Sequence, residues 1–266
     1  YGLSTYPNQI EIINASQMMD AYATIGMPIG YNHWSYGKRL IQTEQQYQRG
    51  HMGLAYEIVI NANPCIAYLM EENTLCMQAM VIAHASYGHN SFFKNNYLFK
   101  SWTDAEGIID YLLFAKQYID QQKMINDLWR TVPKPIQPGE QAERFLKEPQ
   151  ENILYFLEKQ APLLEQWQRE IIRIVRKISQ YFYPQKQTQV MNEGWASFWH
   201  YRLMHDLYEK GKINDAFMLE FLHSHSAVIA QPAYDSPYFN RINPYALGFA
   251  MFNDIKRMCE QPSAED

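Results

Sequence analysis

Residues 73 to 96 read NTLCMQAMVIAHASYGHNSFFKNN, and this stretch decides the fold because it combines an apolar helical pattern with two histidines. Apolar residues lie on every side of the expected helix, which is typical of a helix buried in the core. Asn73 precedes the first apolar residue and is a suitable N-cap. We therefore expect a buried helix, with His84 and His89 at or near its end.

The spacing of the two histidines determines whether they can act together. Five residues on a regular helix correspond to about 500°, which leaves the two rings about 140° apart, whereas a four-residue spacing leaves about 40°. Gly88 allows a single-turn π-bulge, which adds one residue and brings both rings to the same side. If the bulge is present, His84 and His89 are predicted to form a pair of metal ligands. Without one, the histidines would interact only with the last carbonyls and the helix dipole.

Composition indicates a globular protein with a substantial core, because 47% of the 266 residues are hydrophobic and 15% are aromatic. The formal net charge of −5 gives no electrostatic basis for binding nucleic acid. No apolar run is long enough to span a bilayer, so no membrane span is expected. Three widely spaced cysteines without CxxC spacing are typical of reduced thiols in a cytoplasmic protein.

Short apolar segments before the histidine helix predict a small β-sheet. Gln9 to Ile13 alternates weakly, and Leu54 to Ile60 and Cys65 to Met70 read as a hairpin around a proline-containing turn. Glu57 is unusual in this hairpin, because burying an unpaired carboxylate is costly. Either it faces a cleft, where it is paired or protonated, or it lies on the solvent face of an edge strand.

The rest of the chain is mainly helical, so the predicted fold class is mainly α with a small N-terminal β-sheet (α+β). We divide the chain into a sheet and histidine-helix region, residues 1–130, and a helical region, residues 131–266, packed as one domain. Prolines within residues 133–139 mark a loop or a boundary between them. A first helix is predicted from Gln17, with Ser16 as its cap, and further helices over 38–49, over 103–122 and from Pro244 to about Cys259. A long helical stretch is predicted over 152–183, with a restart at Pro162 and an end at Pro184.

A second helix, Met191 to His205, reads MNEGWASFWHYRLMH and carries further candidate residues. Glu193, Ser197 and His200 lie on one face of it, among aromatic neighbours. The Glu193 carboxylate is therefore expected to point into the protein. Two turns separate Glu193 from His200 by about 10 Å, so we expect His200 to lie beside the ligands of an ion or to contact substrate, rather than to bind the same ion.

Two other patterns allow both a functional and a structural interpretation. Glu220 and His223, with His225 nearby, form one ExxH motif, which is half of a di-iron signature, but no second ExxH accompanies it. Surface or core histidines near a helix end are the favoured interpretation. An arginine stripe over residues 169–176 either binds an acidic ligand or, as we favour, forms a solvated helix face.

Long and unusual stretches of the sequence resemble one family. On these residues, which cover nearly the whole chain, the protein is identified as a member of the stage V sporulation protein R (SpoVR) family. Family members are longer at both ends and between residues 122 and 129, so we expect the chain to be truncated and to lack a segment there. The stretches are HASYGHNSFFKNNYLF (His84 to Phe99), NEGWASFWHY (Asn192 to Tyr201), PNQIEIINA, EIVINANPCIAYLMEEN, QREIIRIVRKISQYFYPQKQTQVMNEGW and INPYALGFAMFNDIKR.

The resemblance implies a biological setting. The family is associated with spore cortex formation, also occurs in bacteria that form no spores, and is often encoded beside a PrkA-type serine kinase. It therefore implies a role linked to spore cortex formation or stress physiology, with the kinase system as a partner.

The site residues also resemble those of zincin metallopeptidases whose active helix reads HExxPGH and whose later helix reads EGWALY. This likeness implies a zincin-like arrangement around the site, in which His84, His89 and Glu193 bind one divalent metal, zinc first and iron or manganese as alternatives. Such a set leaves the open position that a catalytic zinc needs. The sequence differs in three ways: the histidines are one residue closer, no proline precedes Gly88, and Ala85 replaces the glutamate that activates water. If the bulge preserves zincin geometry, Ala85→Glu would restore that group.

Another side chain must then take the proton from water. Glu57 is the first candidate because, in zincin-like folds, a strand of the preceding hairpin runs across the active-site helix, and His200 is the second. The expected function is a metal-dependent hydrolase acting on peptide or cell-wall-derived amide bonds. Two alternatives stay open: a non-enzymatic partner or regulatory protein with a structural metal, which Ala85 favours, and a non-haem iron redox enzyme with the same ligands.

Overall fold

The computed structural model of the protein describes residues 1–18, 21, 57–103, 153–239 and 241–263. Its strands and principal helices are numbered here in chain order. The strands are β1 (Asn8–Ile13), β2 (Glu57–Ile60) and β3 (Cys65–Met70). The helices are α1 (Leu75–Val81), a π-helical segment (Ile82–His89), α2 (Asn90–Asn95), α3 (Tyr97–Trp102), α4 (Ile153–Gln160), α5 (Gln166–Gln187), α6 (Gln189–Glu209), α7 (Asp215–Val228) and α8 (Pro244–Glu260).

The three strands form one sheet in the order β1-β3-β2. The hairpin of β2 and β3 is confirmed, with Val59 opposite Ala67, while β1 runs parallel to β3 on its other side. Residues 54–56 of the predicted strand lie outside the described part of the chain. The sheet packs on α3 and α5 through apolar residues, and the hydroxyl of Tyr181 accepts a hydrogen bond from the Asn61 N–H at 2.8 Å. This core fixes the position of β2.

The stretch 73–96 is not one regular helix. The side chain of Thr74 accepts a hydrogen bond from the Met77 N–H, so the N-cap of α1 lies one residue after the predicted Asn73. From Ile82 to His89 the backbone is π-helical, after which α2 follows. The π-helical geometry that brings the two histidines to the same side, one of the two alternatives considered, is therefore present. Burial is also confirmed for most of the stretch, although Leu75 in the first turn is 78% exposed.

The long predicted helix that ends at Pro184 is two helices, α4 and α5. α5 begins with a capping box formed by Glu165, not at Pro162, and it continues through Pro184. A proline inside a helix cannot donate to the carbonyl four residues earlier. That carbonyl, of Gln180, instead accepts a hydrogen bond from the Thr103 hydroxyl at 3.5 Å, which satisfies the acceptor that Pro184 leaves free.

Glycines allow α6 to pack unusually closely against two neighbours. A Cβ built on Gly248 of α8 would lie 2.1 Å from the Val190 carbonyl oxygen and 2.6 Å from the Cα of Gly194. A Cβ on Gly88 of the π-helical segment would lie 2.6 Å from the Cα of Ala196. Gly88 thus serves the close approach of two backbones rather than a left-handed conformation. As a result α6 lies between the π-helical segment and α8.

The protein is mainly α-helical with a small three-stranded N-terminal sheet, as predicted. The predicted helices α6 and α8 are confirmed, and Asn243 caps α8. Helical residues are also present at Gln17, but Asn14 rather than Ser16 caps them, since its side-chain oxygen accepts a hydrogen bond from the Gln17 N–H at 2.9 Å. No helix in the described ranges is both long and apolar enough to cross a membrane.

Several expectations concern segments outside the described residues. They are the helices over 38–49 and 104–122, the proline-rich loop over 133–139 and the boundary at residue 130. They stay predictions.

Candidate metal centre

The π-helical segment places His84 and His89 side by side. Each turn of a π-helix closes five residues later, so positions 84 and 89 fall on the same side. The two ring centroids lie 4.6 Å apart with nearly perpendicular planes, and both side chains are buried. The π-helix thus places both histidine rings on the same side, which a regular α-helix would not do.

Glu193 reaches both histidines from α6. Its Oε2 lies 3.8 Å from Nε2 of His84 and 3.6 Å from Nε2 of His89. The hydroxyl of Tyr245 on α8 interacts with the same carboxylate and acts to lower the pKa of Glu193. Oε2 is buried and has no hydrogen-bond partner among the described residues. This oxygen is therefore available to a further group placed between the two histidines.

Glu57, the first residue of β2, joins the cluster from the sheet. Its Oε1 lies 3.9 Å from Nε2 of His84. One ligand atom each from Glu57, His84 and His89 can be chosen so that all lie within 4.8 Å of one another. Burial raises the pKa of Glu57 to about 7, with His84 acting to lower it and Glu193 adding to the rise. The Glu57 carboxylate thus lies beside the two histidines, which is the first of the two positions considered for it.

Glu57 is the most exposed of the four side chains in the cluster. Its side chain is 25% exposed, compared with 14% for Glu193, 8% for His84 and 7% for His89.

The donor atoms of the cluster fit a single divalent cation. A tetrahedral zinc with bonds of about 2.0 to 2.2 Å separates neighbouring ligand atoms by roughly 3.3 to 3.6 Å. The distances of 3.6 and 3.8 Å from Glu193 to the histidines are close to this range. Both Glu193 and Glu57 also have a buried oxygen without a hydrogen-bond partner in the described structure, which a cation would satisfy. Imidazole and carboxylate ligands suit zinc, iron and manganese.

Hydrogen bonds and nearby charges give the two histidines different pKa values. Burial lowers the pKa of His89 to about 4, so the ring is neutral at pH 7. Its Nδ1 donates to Oδ1 of Asn192 at 2.8 Å, which leaves the lone pair on Nε2 facing the cluster. For His84, burial acts to lower the pKa, but the carboxylates of Glu57 and Glu193 outweigh burial and raise it. The cluster therefore favours a positive charge at His84, whether a proton or a metal ion supplies it.

Two further histidines extend the site into the core. Nδ1 of His200 lies 2.9 Å from Nδ1 of His84, and Nε2 of His200 lies 2.7 Å from Nδ1 of His225 on α7. Burial lowers the pKa of both added histidines, that of His225 to about 4, so both rings are neutral at pH 7. His200 is 1% exposed, so it lies beside a candidate ligand, as expected, and offers no surface to substrate.

Ala85 does not face the cluster. It is fully buried and packs with Ala67, Leu69 and Val81 between the π-helical segment and the sheet. The expectation that Ala85→Glu would restore a water-activating glutamate is therefore wrong, because the new carboxylate would lie in this apolar layer. The side of the π-helical segment that carries Ala85 is covered by β3, which the comparison with zincin sequences did not anticipate.

The other candidate patterns lie away from the cluster. Glu220 bonds to a threonine hydroxyl at the start of α1, and His223 is exposed on α7, so the ExxH motif does not join the site. The arginine stripe makes internal contacts: Arg169 donates to backbone carbonyls near the end of α4, and Arg176 pairs with the buried carboxylate of Glu158 at 3.1 Å. These arginines support the packing of α4 on α5.

Sequence reasoning did not identify Asn192, Tyr245 or the contact made by His225. All three reach the cluster through contacts between helices that are distant in the chain. One signal was available for Tyr245, because a buried carboxylate requires hydrogen-bond donors from its neighbours. No pattern in the sequence indicates which helix supplies them.

Comparison with known proteins gives a family and one relative. The family described as "SpoVR like protein" matches residues 1–125 and 120–266. A protein of Escherichia coli (strain K12), "Uncharacterized protein YcgB", is 57% identical over 318 residues, which cover 100% of this chain and 62% of the relative. The chain thus spans 62% of the length of that relative. No solved structure matches the chain.

Proposed function

The chain belongs to the SpoVR family, and on that premise we propose that it is a metal-dependent hydrolase whose site is formed by Glu57, His84, His89 and Glu193. The observation that carries the proposal is the buried Oε2 of Glu193, which has no hydrogen-bond partner in the described structure and lies 3.8 and 3.6 Å from the Nε2 atoms of His84 and His89. An arrangement of this kind is costly unless a cation is bound.

In this proposal His84, His89 and Glu193 hold one divalent ion, zinc first and iron or manganese as alternatives. When bound, the ion would act as a Lewis acid that polarises a carbonyl group and lowers the pKa of water. Asn192 fixes the ring of His89 through its Nδ1, and Tyr245 holds the Glu193 carboxylate. Partners of this kind orient ligands and tune their basicity.

Glu57 is the proposed general base. Burial raises its pKa to about 7 in the metal-free chain, and a bound divalent cation would lower this pKa, so that the carboxylate is ionised and can accept a proton at pH 7. It is also the most exposed of the four side chains. Its Oε2, which has no hydrogen-bond partner among described residues, can accept the proton.

The proposed substrates are amide bonds in peptides or in cell-wall-derived material. This part of the proposal follows the association of the family with spore cortex formation and is an argument by family, not by geometry. A role in sporulation or stress physiology, a PrkA-type kinase partner and a cytoplasmic location belong to the same proposal. A zincin-like fold around the site stays a prediction.

One observation favours a second candidate function. Glu57 lies close enough to both histidines to serve as a fourth ligand. A closed set of four protein ligands is typical of structural sites. The protein would then be a non-enzymatic regulatory partner stabilised by its metal.

The variant Glu57→Gln separates the two functions. Protein purified without an affinity tag is analysed for metals and assayed on a casein-derived peptide mixture and on peptidoglycan fragments. If Glu57 is the base, the variant keeps its metal and loses about 10²- to 10⁴-fold in rate. Glu72→Gln, which changes an exposed carboxylate after β3, is the matched control and retains both properties.

Other results would redirect the proposal. Loss of metal from Glu57→Gln, together with no hydrolysis by the wild-type protein, supports the structural site. Bound iron with oxygen consumption and no hydrolysis supports the non-haem redox alternative. A wild-type protein that binds no divalent metal refutes both the hydrolase and the structural site.

A further inference from the structure

We propose that the loop between α7 and α8, residues 229–243, binds the sugar rings of a polymeric substrate beside the metal cluster. Two exposed tyrosines, Tyr234 and Tyr238, form the surface on which the sugars stack. The inference rests on the proposed hydrolase function and extends it, because it names a class of substrate and the residues that recognise it. Residue 240 lies outside the described part of this loop.

The two tyrosines stand out by their exposure. Tyr234 and Tyr238 are 87% and 84% exposed, more than any other tyrosine that the structure describes. The ring of Tyr234 contacts Phe239, the neighbour of Tyr238, with centroids 5.2 Å apart, so both tyrosines belong to one surface. Single exposed apolar side chains are normal, whereas contiguous groups of them mark interaction sites. The loop therefore has the composition of a binding surface.

Hydrogen bonds hold the loop in one shape. The side-chain amide of Asn243 donates to the carbonyls of Val228 and Ala230 at 2.8 and 3.0 Å, which closes the base of the loop. The Phe239 N–H donates to the Ser236 carbonyl at 2.9 Å and forms a tight turn within it. Compact loops with closed ends are frequently functional. A loop ordered in advance also loses less entropy when it binds a ligand.

The second end of the loop leads into the metal cluster. Asn243 caps α8, and Tyr245 follows two residues later. The Tyr245 ring lies over that of His84, with centroids 6.1 Å apart and planes at 20°, and its hydroxyl interacts with Glu193. Seven residues separate Tyr238 from Tyr245, so their Cα atoms lie at most about 25 Å apart. An oligomeric ligand held on the loop can bridge this distance and present one of its bonds to the cluster.

The charge of the loop favours an uncharged ligand. Asp235 and Arg241 carry opposite charges, and the other residues of the loop are neutral. Nucleic acid bases also stack on exposed aromatic rings, but their binding depends on a positively charged surface along the backbone. The chain as a whole has a formal net charge of −5, so this surface does not fit a nucleic acid.

The shape of the surface favours sugars over peptides. Peptides and other small ligands bind in grooves and clefts that enclose their side chains. Rings that are almost fully exposed form a platform without walls. A sugar ring has a flat face of C–H groups, which stacks on such a platform, and hydroxyl groups at its edge. The exposed carboxylate of Asp235, next to Tyr234, can accept hydrogen bonds from those hydroxyls.

Calorimetric titration with a soluble oligomer of N-acetylglucosamine tests sugar binding without hydrolysis, on the chain as it stands. Tyr234→Ala and Tyr238→Ala should each weaken binding about 10-fold, because each removes one stacking ring. Tyr238→Trp keeps a ring and should retain the affinity. Tyr97→Ala is the matched control, because it removes a tyrosine that is 77% exposed on α3, and it should bind as the wild type does.

Hydrolysis links the loop to the metal cluster. On peptidoglycan fragments, the two alanine variants should raise KM about 10-fold and leave kcat unchanged, since the loop binds the substrate away from the reacting bond. On a synthetic peptide without sugar, both constants should stay at their wild-type values. A fall in kcat on both substrates would overturn the assignment, because it would mean that the loop supports the cluster and does not bind sugar.

The outcomes separate this inference from the hydrolase proposal. Oligomer binding that depends on the two tyrosines, in a protein that holds no metal and hydrolyses nothing, supports the sugar site and refutes the hydrolase. No binding by the wild type, or equal binding by all variants, overturns the sugar site and leaves the hydrolase intact. Tyrosine-dependent binding of the synthetic peptide, in place of the oligomer, overturns the sugar assignment and makes the loop a peptide-docking surface.

Discussion

The substitution Gly248→Ala tests whether the crossing of α6 and α8 holds the site together. At an exposed helical position, alanine is more favourable than glycine by about 1 kcal/mol. Here the added Cβ would lie 2.1 Å from the Val190 carbonyl oxygen and 2.6 Å from the Cα of Gly194. Both are backbone atoms, so no side-chain rotation can relieve the contact and the two helices must separate.

The expected magnitude follows from these opposing terms. Overpacking of a well-packed contact costs about 1 to 3 kcal/mol, and a backbone clash belongs at or beyond the upper end of that range. After subtraction of the gain in helix propensity, Gly248→Ala should lower the free energy of unfolding by roughly 2 kcal/mol. A domain of this size loses about 2 to 4 °C per kcal/mol, so the Tm should fall by about 4 to 8 °C.

The same substitution should weaken metal binding, because Tyr245 lies on α8 and interacts with Glu193. Differential scanning calorimetry and zinc competition measure the two effects. Ala250→Gly is the control: it lies exposed on the same helix, should cost about 1 kcal/mol in stability and should leave zinc affinity unchanged. A Gly248→Ala protein as stable as wild type, with wild-type zinc affinity, would show that the crossing does not support the site.

Three further predictions concern metal, thiols and pH. Glu193→Ala should lose more metal than His200→Ala, as measured by elemental analysis, and the reverse order would mean that the wrong residue of α6 is assigned as ligand. A thiol reagent at pH 8 should modify only the exposed Cys259 in the native chain. Cys65 and Cys76 are buried, and burial raises their pKa values to about 12 and 11. Reaction of all three cysteines without denaturant would contradict this packing. The metal-free protein should lose stability as pH falls from about 6.5 to 4, because burial lowers the pKa of three histidines and the unfolded chain then binds more protons. The raised pKa values of Glu57 and His84 act in the opposite direction, but they are two groups against three. Unchanged urea midpoints across this pH range would refute the assigned burial.

Local sequence patterns were sufficient to predict the position of a residue when its own helix or strand determines its surroundings. The five-residue spacing of His84 and His89, with a glycine between them, predicted the π-helix, because only that geometry brings the two rings together. Glu57 was identified because a carboxylate in an apolar strand needs an explanation. Both arguments use elementary costs of geometry and burial.

Patterns were insufficient where helices meet. Tyr245 and His225 reach the cluster because glycine contacts and aromatic packing set the distances between α6, α7 and α8, and no spacing within one helix encodes these distances. Ala85 was misassigned for the same reason, because its direction depends on how the π-helical segment lies on the sheet. N-caps shifted by one or two residues, as Thr74 and Asn14 did, since several neighbouring polar side chains can make the same hydrogen bond.

The π-helical segment also gives this part of the chain an unusual tolerance to changes in length. Deleting one residue from a regular helix rotates everything that follows by about 100°, which would normally separate two facing side chains. Between His84 and His89 the π-helix already holds one residue more than an α-helix needs. Removing Tyr87, which is partly exposed, would leave a regular helix with a four-residue histidine spacing and the downstream helix in its present orientation. An in-frame deletion of one codon is therefore least disruptive at the centre of the site. It would change the spacing of the two histidines from five residues to the four that a regular helix needs.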